Sequence, residues 1–472
     1  MRELWDDSSS VLGGLRLEGE LDKLRAEWTA DDIVELVSKR RVRVVSLMHV
    51  GGDGWLKTLD FVPHDSNHLR DIVEGGERAD GSSLFPDTGI PAGASDIVLR
   101  PRARTAFMDP FAAQPTLVLM CGHAGRDGAP LPQSPDTILR RASELLRQQT
   151  GIELWALGEV EYFLGKRRDE SDIYGANDRG YHASSPFVFG EPLRRRALRL
   201  LAEIGVPVKY GHSEVGYIEA KKAEGMIWEQ HEIELALRPL PEAAEAILLT
   251  QWVLRNLAHR QGMRCSFDPL VLEGHAGNGL HFHFALMAMG RHLPIRDDEG
   301  QLGEAARWLI GGLVQMGGAL MAFGNRMEGS FVRLRQAKEA PSTIIWGEYD
   351  RKALVRLPIV ATDEAGREVT PPTVEFRLPD GSALPHLLLA GAALAMIRGR
   401  ETHDLDALLQ RTCSTCPAPH GAAAAPVPAD FGEVADALIE QREALELGSV
   451  FPSGLLDQLI RRLREITPRR FG

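Results

Sequence analysis

The sequence predicts an α+β protein of two parts, in which one face of a sheet forms a polar cavity. At 472 residues the chain is long enough for two domains, one of them large. The pattern changes near residue 115, from a small module with a helix and hairpin strands to strands that alternate with long helices. In the second part, three short strand-like stretches each carry two polar side chains one residue apart within apolar sequence.

These three stretches are 158–163 (GlyGluValGluTyrPhe), 280–284 (LeuHisPheHisPhe) and 374–378 (ValGluPheArgLeu). In a strand, residues i and i+2 point to the same face, so each stretch directs two polar groups one way and its apolar residues the other. Solvated strand faces usually show Lys, Thr and Ser, whereas these stretches are rich in Glu and His. We therefore expect a sheet whose concave face holds cations.

The types of side chain indicate which cation the cavity would hold. Glu159, Glu161 and Glu375 offer hard oxygens and His281 a borderline nitrogen, with no thiolate nearby. Such carboxylate-dominated sites suit Mg²⁺ or Mn²⁺ better than a structural zinc. Clustered carboxylates also repel one another unless cations neutralise them.

Composition excludes several classes of partner. The net charge is -12 and the pI about 5.7, with 44% hydrophobic and 25% charged residues, as in an ordinary soluble protein. No basic region is large enough to follow a phosphate backbone, so we expect no nucleic acid partner. Residues 1–7 lack an apolar signal core, and the longest apolar run, 387–397, is too short to span a bilayer. We expect no membrane partner and a cytoplasmic location.

The four cysteines are widely spaced and predict no disulfide framework, which fits a reduced compartment. Cys413 and Cys416 form an isolated CxxC without a second pair. A zinc or redox role there remains open, but a chance occurrence is the better interpretation.

The first module begins with a helix over 32–39, capped by Thr29 or Asp31, and continues as a strand, a turn at 51–54 and a returning strand. Residues 71–115 are rich in Gly, Pro, Asp and Ser and predict long loops of the kind that often carry function. A second loop or linker is expected at 417–430. We expect domains at 1–115 and 116–472.

Six segments in order carry a resemblance to a known family. From about residue 30 to about 465, the chain resembles the glutamine synthetase family. Any one segment is a weak signal, but the ordered set is highly specific. The segments are AspGlySerSer at 80–83, SerAspIleValLeuArgPro at 95–101, AspProPhe at 109–111, the Glu-x-Glu stretch at 158–163, GlyAsnGlyLeuHisPheHis at 277–283 and ValGluPheArgLeuProAspGly at 374–381.

The resemblance implies a fold and an assembly. It implies an N-terminal β-grasp domain at 1–115 and a large α/β catalytic domain at 116–472 with a funnel of antiparallel strands. Active sites would form between neighbouring subunits of a homo-oligomeric ring, usually in stacked rings such as a dodecamer. ATP would enter the funnel at one mouth and glutamate at the other, with two divalent cations between them.

The resemblance also implies a role for individual residues. It gives Glu161, Glu214 and Glu232 as ligands of one Mg²⁺ or Mn²⁺ ion, and Glu159, His281 and Glu375 as ligands of the other. It gives Asp80, Glu339 and Arg351 as catalytic residues, Gly277, Arg333 and Arg377 as substrate-binding residues, and His283, Arg351 and Arg356 as nucleotide-binding residues. Asp80 would help to bind and deprotonate ammonium, and Glu339 would belong to a flap over the glutamate site.

An insertion separates two of the implied metal ligands. HisSerGlu at 212–214 and GlnHisGlu at 230–232 are about ten residues further apart than is usual in the family. Glu229 or Glu234 could therefore serve in place of Glu232. Trp228 in this segment could reshape a mouth of the substrate or nucleotide site.

Other departures lie at the edges of both binding sites. Thr373 stands where the family usually has a nucleotide-contacting Arg, and the flap lacks the usual ProGlyTyr-like turn before Glu339. Ala276 and Ala285 replace an Asn or Asp and a Ser. Changes at the rim alter which substrate fits more readily than they alter the chemistry.

The resemblance therefore implies an ATP-dependent carboxylate–amine ligase that forms glutamine through γ-glutamyl phosphate. Asp80 favours ammonia as the nitrogen donor, whereas the flap and the insertion favour an alternative, a ligase that uses a small amine, a polyamine or another acid. A non-catalytic homologue is a third hypothesis, against which the retained metal ligands argue. Residues 399–472 contain no tyrosine, so we expect no control by adenylylation.

Overall fold

The computed structural model describes residues 15–466 except 18, 87, 89, 91, 92, 94, 170–177, 220–224, 337, 338 and 417–424. Two sheets organise the described chain, a small one near the N-terminus and a large one that follows it. The predicted α+β class is confirmed.

The small sheet contains six strands in the order β2-β1-β6-β4-β3, with β5 paired to β6. They are β1 (Val44–Val50), β2 (Leu56–Phe61), β3 (Glu77–Asp80), β4 (Asp96–Pro101), β5 (Phe107–Met108) and β6 (Thr116–Ala124). The β1–β6 pair is parallel and the other pairs are antiparallel.

Three helices accompany the small sheet: α1 (Ala30–Lys39), α2 (Ser66–Gly75) and the single turn α3 (Gly81–Leu84). Thr29 is the cap of α1, and its backbone N–H donates to the Asp32 carboxylate at 2.7 Å. Ile33 and Leu36, one turn apart, are buried against the sheet core. Short 3₁₀ turns lie at Arg25–Glu27 and Ala103–Thr105.

The small sheet extends beyond residue 115, where we expected the first domain to end. Strand β6 lies between β1 and β4, so a division at 115 cuts through one hydrogen-bonded sheet. The change of pattern at that point has a simple cause. The described residues of 71–115 form short strands, helical turns and loops in which buried and exposed positions are mixed, whereas β6 is buried along almost its whole length.

The large sheet contains ten strands, with the central order β14-β15-β16-β12-β7-β9-β8. They are β7 (Glu153–Arg167), β8 (Val208–Glu219), β9 (Met226–Leu235), β10 (Arg238–Pro239), β11 (Arg264–Ser266), β12 (Leu280–Ala288), β13 (Arg291–His292), β14 (Trp346–Glu348), β15 (Val355–Leu357) and β16 (Val374–Phe376). All pairs are antiparallel except β14–β15.

The helices pack against the large sheet and form the main core. They are α4 (Pro135–Thr150), α5 (Glu191–Glu203), α6 (Leu240–Arg260), α7 (Glu304–Gly324), α8 (Glu328–Gln336), α9 (Pro385–Arg400), α10 (Leu405–Thr412), α11 (Phe431–Glu440), α12 (Arg442–Glu446) and α13 (Ser453–Ile466), with a 3₁₀ turn at Leu447–Ser449. Helices α7 and α9 approach closely because Gly312 has no side chain to collide with the Ala395 carbonyl.

By length and composition, α7 alone among the described helices could cross a membrane. Its most apolar window is 83% buried inside the protein. This burial is typical of a core helix of a soluble protein, and α7 packs in the main core.

The structure joins Cys413 to Cys416 by a disulfide, which the sequence analysis did not expect. The bridge closes a loop within a single CxxC and makes no link between distant parts of the chain. The other two cysteines, Cys121 and Cys265, are free. Of the linker expected at 417–430, residues 417–424 lie outside the described residues.

Candidate active site

Strands β7, β12 and β16 bring their paired polar side chains onto one face of the large sheet. Glu159 lies opposite His281 across the β7–β12 pair, and His283 lies opposite Glu375 across the β12–β16 pair. With the neighbouring strands they line a cavity of about 520 Å³, here called the polar cavity. Its charged and ionisable lining is Glu159, Glu161, Lys209, His212, Glu214, Glu232, Glu234, His281, His283, His292, Glu339, Arg351, Arg356, Glu375 and Arg377, with Tyr181 and Tyr210 beside them.

One group of possible cation ligands is electrostatically compensated. Glu159, His281 and Glu375 each place a ligand atom within 4.8 Å of the others. Burial raises the pKa of the Glu375 carboxyl, but attraction to His283 and Arg377 outweighs burial and leaves this pKa below its ordinary value. The Glu159 pKa is likewise lowered, because His283 and His281 overcome the effect of burial. Both carboxylates therefore stay ionised at neutral pH.

A second group of ligands has no such compensation. His212, Glu214 and Glu232 also place ligand atoms within 4.8 Å of one another. Burial, and then repulsion from Glu161, raise the pKa of Glu214 to about 8. Burial and repulsion from Glu159, Glu161 and Glu214 raise the Glu232 pKa well above its usual range. This end of the cavity carries excess negative charge that only a proton or a cation can neutralise.

Glu161 lines the same cavity but is held by its own partners. Its Oε2 accepts hydrogen bonds from Gln230 Nε2 at 3.0 Å and from the Gly279 N–H at 2.7 Å. A side chain at position 279 would collide with His281 and Arg333, so Gly279 leaves the space that this arrangement needs. The structure groups His212 with Glu214 and Glu232, where the sequence led us to expect Glu161.

Successive side chains of β9 point to opposite faces of the sheet, which bears on the choice of metal ligand among Glu229, Glu232 and Glu234. Glu229 lies on the face away from the polar cavity, where it accepts hydrogen bonds from the Phe189 N–H at 2.9 Å and from His231 Nε2 at 2.8 Å. Glu232 and Glu234 both line the cavity, and with Glu159 they form a third group of close ligand atoms. Lys209 Nζ donates to Glu234 at 2.6 Å, which leaves Glu232 as the less compensated of the two.

Arginines surround the compensated end of the cavity. Arg356 Nη1 donates to Glu375 at 2.9 Å, and Arg377 donates to the other oxygen of the same carboxylate. Arg377 also donates through Nη2 to the backbone carbonyl of Glu339 at 3.0 Å. Arg351 Nη1 lies 3.7 Å from the Glu339 carboxylate. The arginines thus connect a possible cation ligand to the predicted flap residue.

Glu339 has a left-handed backbone conformation, with φ of 57°. Such a conformation is uncommon for a residue with a Cβ and often occurs at functional sites. Its side chain is 61% exposed at the cavity edge. The two preceding residues of the predicted flap, 337 and 338, lie outside the described residues.

Arg333 and Gly277 border the polar cavity from behind. Arg333 is buried, and its Nη2 is 3.5 Å from His281 Nε2. The Gly277 carbonyl accepts a hydrogen bond from Gln230 Nε2 at 3.0 Å. Burial lowers the pKa of Arg333, but an arginine remains charged at any physiological pH.

Asp80 does not reach the polar cavity of its own chain. It caps α3 at the surface of the small sheet, where it accepts hydrogen bonds from Ser83 Oγ at 2.6 Å and Ser82 Oγ at 2.8 Å. Bonds from Ser83, Ser95 and Ser82 lower the pKa of Asp80, so the carboxylate is ionised at neutral pH. Asp80 could therefore contribute only to the polar cavity of a neighbouring subunit.

Three site features were missed or misjudged from sequence. His212 was not among the expected ligands, although His212 and Glu214 obey the same i, i+2 rule that singled out the other strands. From the sequence, Thr373 was noted only as the replacement of an arginine usual in the family. In the structure its hydroxyl forms a hydrogen bond with His283 Nδ1 at 2.8 Å and so orients that ring towards Glu159. Trp228 lines a different cavity, described below, and not the polar cavity.

The donor set fits divalent cations. Carboxylate oxygens with one or two imidazole nitrogens suit Mg²⁺ or Mn²⁺, and the second group carries uncompensated negative charge. Glu159, His281 and Glu375 would hold one ion, and Glu214 and Glu232, with Glu161 or His212, would hold the other.

Without divalent cations, we expect the protein to lose stability as pH rises from about 5 to about 8. Glu214 has a folded-state pKa of about 8, above the ordinary value of 4.5, so the folded state binds more protons over this range. Ionisation then costs roughly 2–4 kcal/mol of folding free energy. Thermal unfolding in EDTA across this range should show a falling Tm, and Mg²⁺ or Mn²⁺ should reverse the fall. A Tm independent of pH in EDTA would contradict this account.

Known proteins resemble this chain over nearly its whole length. The family model "Glutamine synthetase, catalytic domain" matches residues 132–464. Glutamine synthetase of Methylococcus capsulatus is 30% identical, with 91% of this chain and 94% of that protein covered. Glutamine synthetase of Salmonella typhimurium is 28% identical, with 93% and 96% covered.

Solved structures share the fold at lower identity. A cryo-EM structure of Plasmodium falciparum glutamine synthetase matches with a TM-score of 0.78 and 19% identity, covering 93% of this chain and 96% of that one. A structure described as apo GmaS without ligand matches with a TM-score of 0.72 and 18% identity, covering 92% and 95%. Together with the catalytic-domain match, these findings show that the chain belongs to the glutamine synthetase family of ATP-dependent carbon–nitrogen ligases.

Proposed function

We propose that this protein joins ammonia to the γ-carboxylate of glutamate at the expense of ATP, through a γ-glutamyl phosphate intermediate. The carboxylate oxygen attacks the γ-phosphorus of ATP, and ADP leaves. Ammonia then attacks the acyl carbon, and phosphate leaves with the bonding electrons. The observation that carries this proposal is the polar cavity, which holds two groups of carboxylates beside three arginines. In one group the negative charge is compensated by His and Arg side chains, and in the other it is not.

The cavity must bring together substrates that repel one another. ATP and glutamate are both anions, and so are the side chains of Glu159 and Glu375, whose pKa values lie below the ordinary range. When bound, two divalent cations neutralise phosphate charge and orient the transferring group. Arg351 and Arg356 supply further positive charge for the nucleotide and the transferring phosphoryl group, because a guanidinium is planar and permanently charged. His283, which contacts Thr373 and Glu159, would bind the nucleotide in this proposal.

Arg333, Arg377 and the loop at Gly277 hold the acid substrate in this proposal. Two guanidinium groups lie there, since Arg333 is 3.5 Å from His281 and Arg377 pairs with Glu375. Glu339 closes over this region and keeps water away from the acyl phosphate. The bond from Arg377 to the Glu339 carbonyl supports this role, because it links the floor of the site to the flap.

Asp80 of a neighbouring subunit would complete the nitrogen site. In its own chain it lies on the small sheet, away from the polar cavity. Its lowered pKa suits the binding of a cationic ammonium better than strong base catalysis. We propose a homo-oligomeric ring, in stacked rings as in a dodecamer, acting in the cytoplasm on small molecules and without nucleic acid or membrane partners.

A γ-glutamyl-amine ligase is the second candidate. The altered flap around Glu339 favours it, because Glu339 lines the polar cavity at its edge, and the lengthened segment between Glu214 and Glu232 is a second departure from the usual family pattern. Its reaction differs only in the nitrogen nucleophile, so the same cations and arginines would serve. The non-catalytic hypothesis is weaker, since Glu214 and Glu232 carry an electrostatic cost of burial that a bound cation would relieve.

Phosphate release with ATP, Mg²⁺ and glutamate tests the choice between these candidates. We expect ammonium to stimulate release at least tenfold more than methylamine, ethanolamine or a diamine at equal concentration. The product should be identified as glutamine by mass spectrometry. Stimulation by one amine, with ammonium poor, would replace the proposal with the amine ligase. Silence with every nitrogen donor would first direct attention to a different acid, tested with aspartate and other dicarboxylates.

A further inference from the structure

A second large cavity lies between the small sheet and the catalytic part of the chain. Its volume is about 1030 Å³. We call it the inter-domain cavity, and it is bounded by three segments: the turn 53–56 between β1 and β2, the end of α6 with the following residues 263–268, and the residues around 326 and 382. None of the residues assigned to the ligase reaction lines it.

The inter-domain cavity contains more cationic than anionic side chains. Arg255, Arg264 and Arg326 line it, and among the described residues none of the three forms an ion pair within 4 Å. Burial lowers the pKa of Arg255 and of Arg326, although Asp268 attracts the first and Asp53 the second. These two carboxylates are the anionic side chains of the lining, and Asp53 also pairs with Lys57 at 2.8 Å, so they do not balance the three arginines.

Three tryptophans form flat walls beside these cations. Trp55 is 70% exposed at the cavity mouth, and Trp228 and Trp252 lie deeper. The guanidinium of Arg255 stands 5.9 Å from the centre of the Trp55 ring and 4.7 Å from that of Phe267. A planar ring placed here could stack on an indole while its negative group meets a guanidinium.

From this arrangement we propose that the inter-domain cavity binds a small molecule with a planar aromatic ring and an anionic group. Unpaired arginines select a carboxylate or a phosphate, and the exposed indole selects a flat apolar ring. The volume accommodates a molecule the size of a nucleoside monophosphate or smaller.

Hydrogen bonds connect the lining of this cavity to segments that carry residues assigned to the ligase reaction. The Gly52 N–H donates to the Leu84 carbonyl at 2.9 Å, and Leu84 ends the helical turn that Asp80 caps. On the other side, the Arg326 N–H donates to Ser382 Oγ at 2.9 Å, just before α8, which carries Arg333. A molecule that bridges these segments therefore fixes the small sheet relative to the catalytic part, as an effector would.

Calorimetric titration of the full-length protein tests this proposal. The probes are indole-3-carboxylate and guanosine monophosphate, each added in the presence of excess ADP and Mg²⁺ so that the ligase site is occupied. We expect at least one probe to bind with a Kd below about 1 mM. Arg255→Met and Arg326→Met should each weaken binding at least tenfold while leaving the Tm unchanged. Arg400→Met is the matched control, because Arg400 stands over the Trp308 ring at 5.5 Å elsewhere on the protein.

Each result supports the proposal or overturns it. Binding of the indole carboxylate alone identifies a carboxylate ligand, and binding of the nucleotide alone identifies a phosphate ligand. Absence of binding by both probes at about 5 mM overturns the proposal, and so does binding that both arginine variants leave intact. Because the readout is binding with the ligase site occupied, the result does not depend on which nitrogen donor the enzyme uses.

Discussion

Glu375→Gln is expected to reduce ATP-dependent phosphate release by about 10³-fold or more. The side chain is fully buried, lies in the compensated ligand group, and accepts bonds from both Arg356 and Arg377. Glutamine keeps the volume but removes the charge that would hold a cation and balances two guanidinium groups. Losing that charge removes several kcal/mol of transition-state stabilisation, which is enough for a change of this size.

The control for this variant must separate chemistry from folding. Breaking a buried ion pair costs about 3–5 kcal/mol, so Glu375→Gln should also lower the Tm. Glu245→Gln is a matched control, because Glu245 is a buried carboxylate paired with Arg102 and lies outside the polar cavity. It should lower the Tm similarly but retain turnover at temperatures where it is folded. Retention of more than a tenth of the activity by Glu375→Gln would show that this residue is not a metal ligand.

Asp80→Asn is expected to raise the KM for ammonium by about 10²-fold or more while leaving ATP binding unchanged. The asparagine keeps the shape but loses the charge that would attract an ammonium ion. Since Asp80 lies away from the polar cavity of its own chain, its effect should appear only across a subunit boundary. Steady-state kinetics with ammonium, and ATP titration by calorimetry, measure the two halves of this prediction.

Mixing the two variants, assayed at an ammonium concentration so low that each alone is nearly inactive, gives a decisive version of the same test. After dissociation and reassembly of equal amounts of Asp80→Asn and Glu375→Gln subunits, about a quarter of the interfaces should combine an intact Asp80 with an intact Glu375. Activity should therefore return to about a quarter of the wild-type value. If mixed assemblies form and stay inactive, Asp80 does not serve a neighbouring site.

The part of the candidate site that was predictable from sequence is the set of side chains that share one face of a strand, because strand alternation alone determines it. Glu159, His281 and Glu375 share a face because each lies in a strand with a fixed side-chain period of two. The register that brings them opposite one another comes from pairing across distant segments, so the sequence could not give the distances. The distribution of charge, with the Glu214 pKa raised and the Glu375 pKa lowered, depends on those distances and on burial.

Two differences between the sequence patterns and the structure have physical causes of the same kind. The division at residue 115 followed a change of composition, but β6 joins the small sheet through pairing with β1 and β4, which composition does not reveal. Glu229 remained an alternative ligand because the insertion made it impossible to tell from the sequence which residues of β9 face the cavity. In the structure, the pairing of Glu161 with Glu232 sets which residues do so.

The insertion between β8 and β9 has a consequence for how the length of this hairpin can change. Strands β8 and β9 form a hairpin in which His212 pairs with Glu232 near the base and Glu214 lies in a register shift, while the added residues lie beyond that shift. The register shift between Ser213 and Tyr217 separates the two regions, so the pairing at the far end does not dictate the pairing at the base. Residues can therefore be gained or lost at the tip over evolutionary time without turning a carboxylate away from the cavity, and an engineer could graft a peptide there.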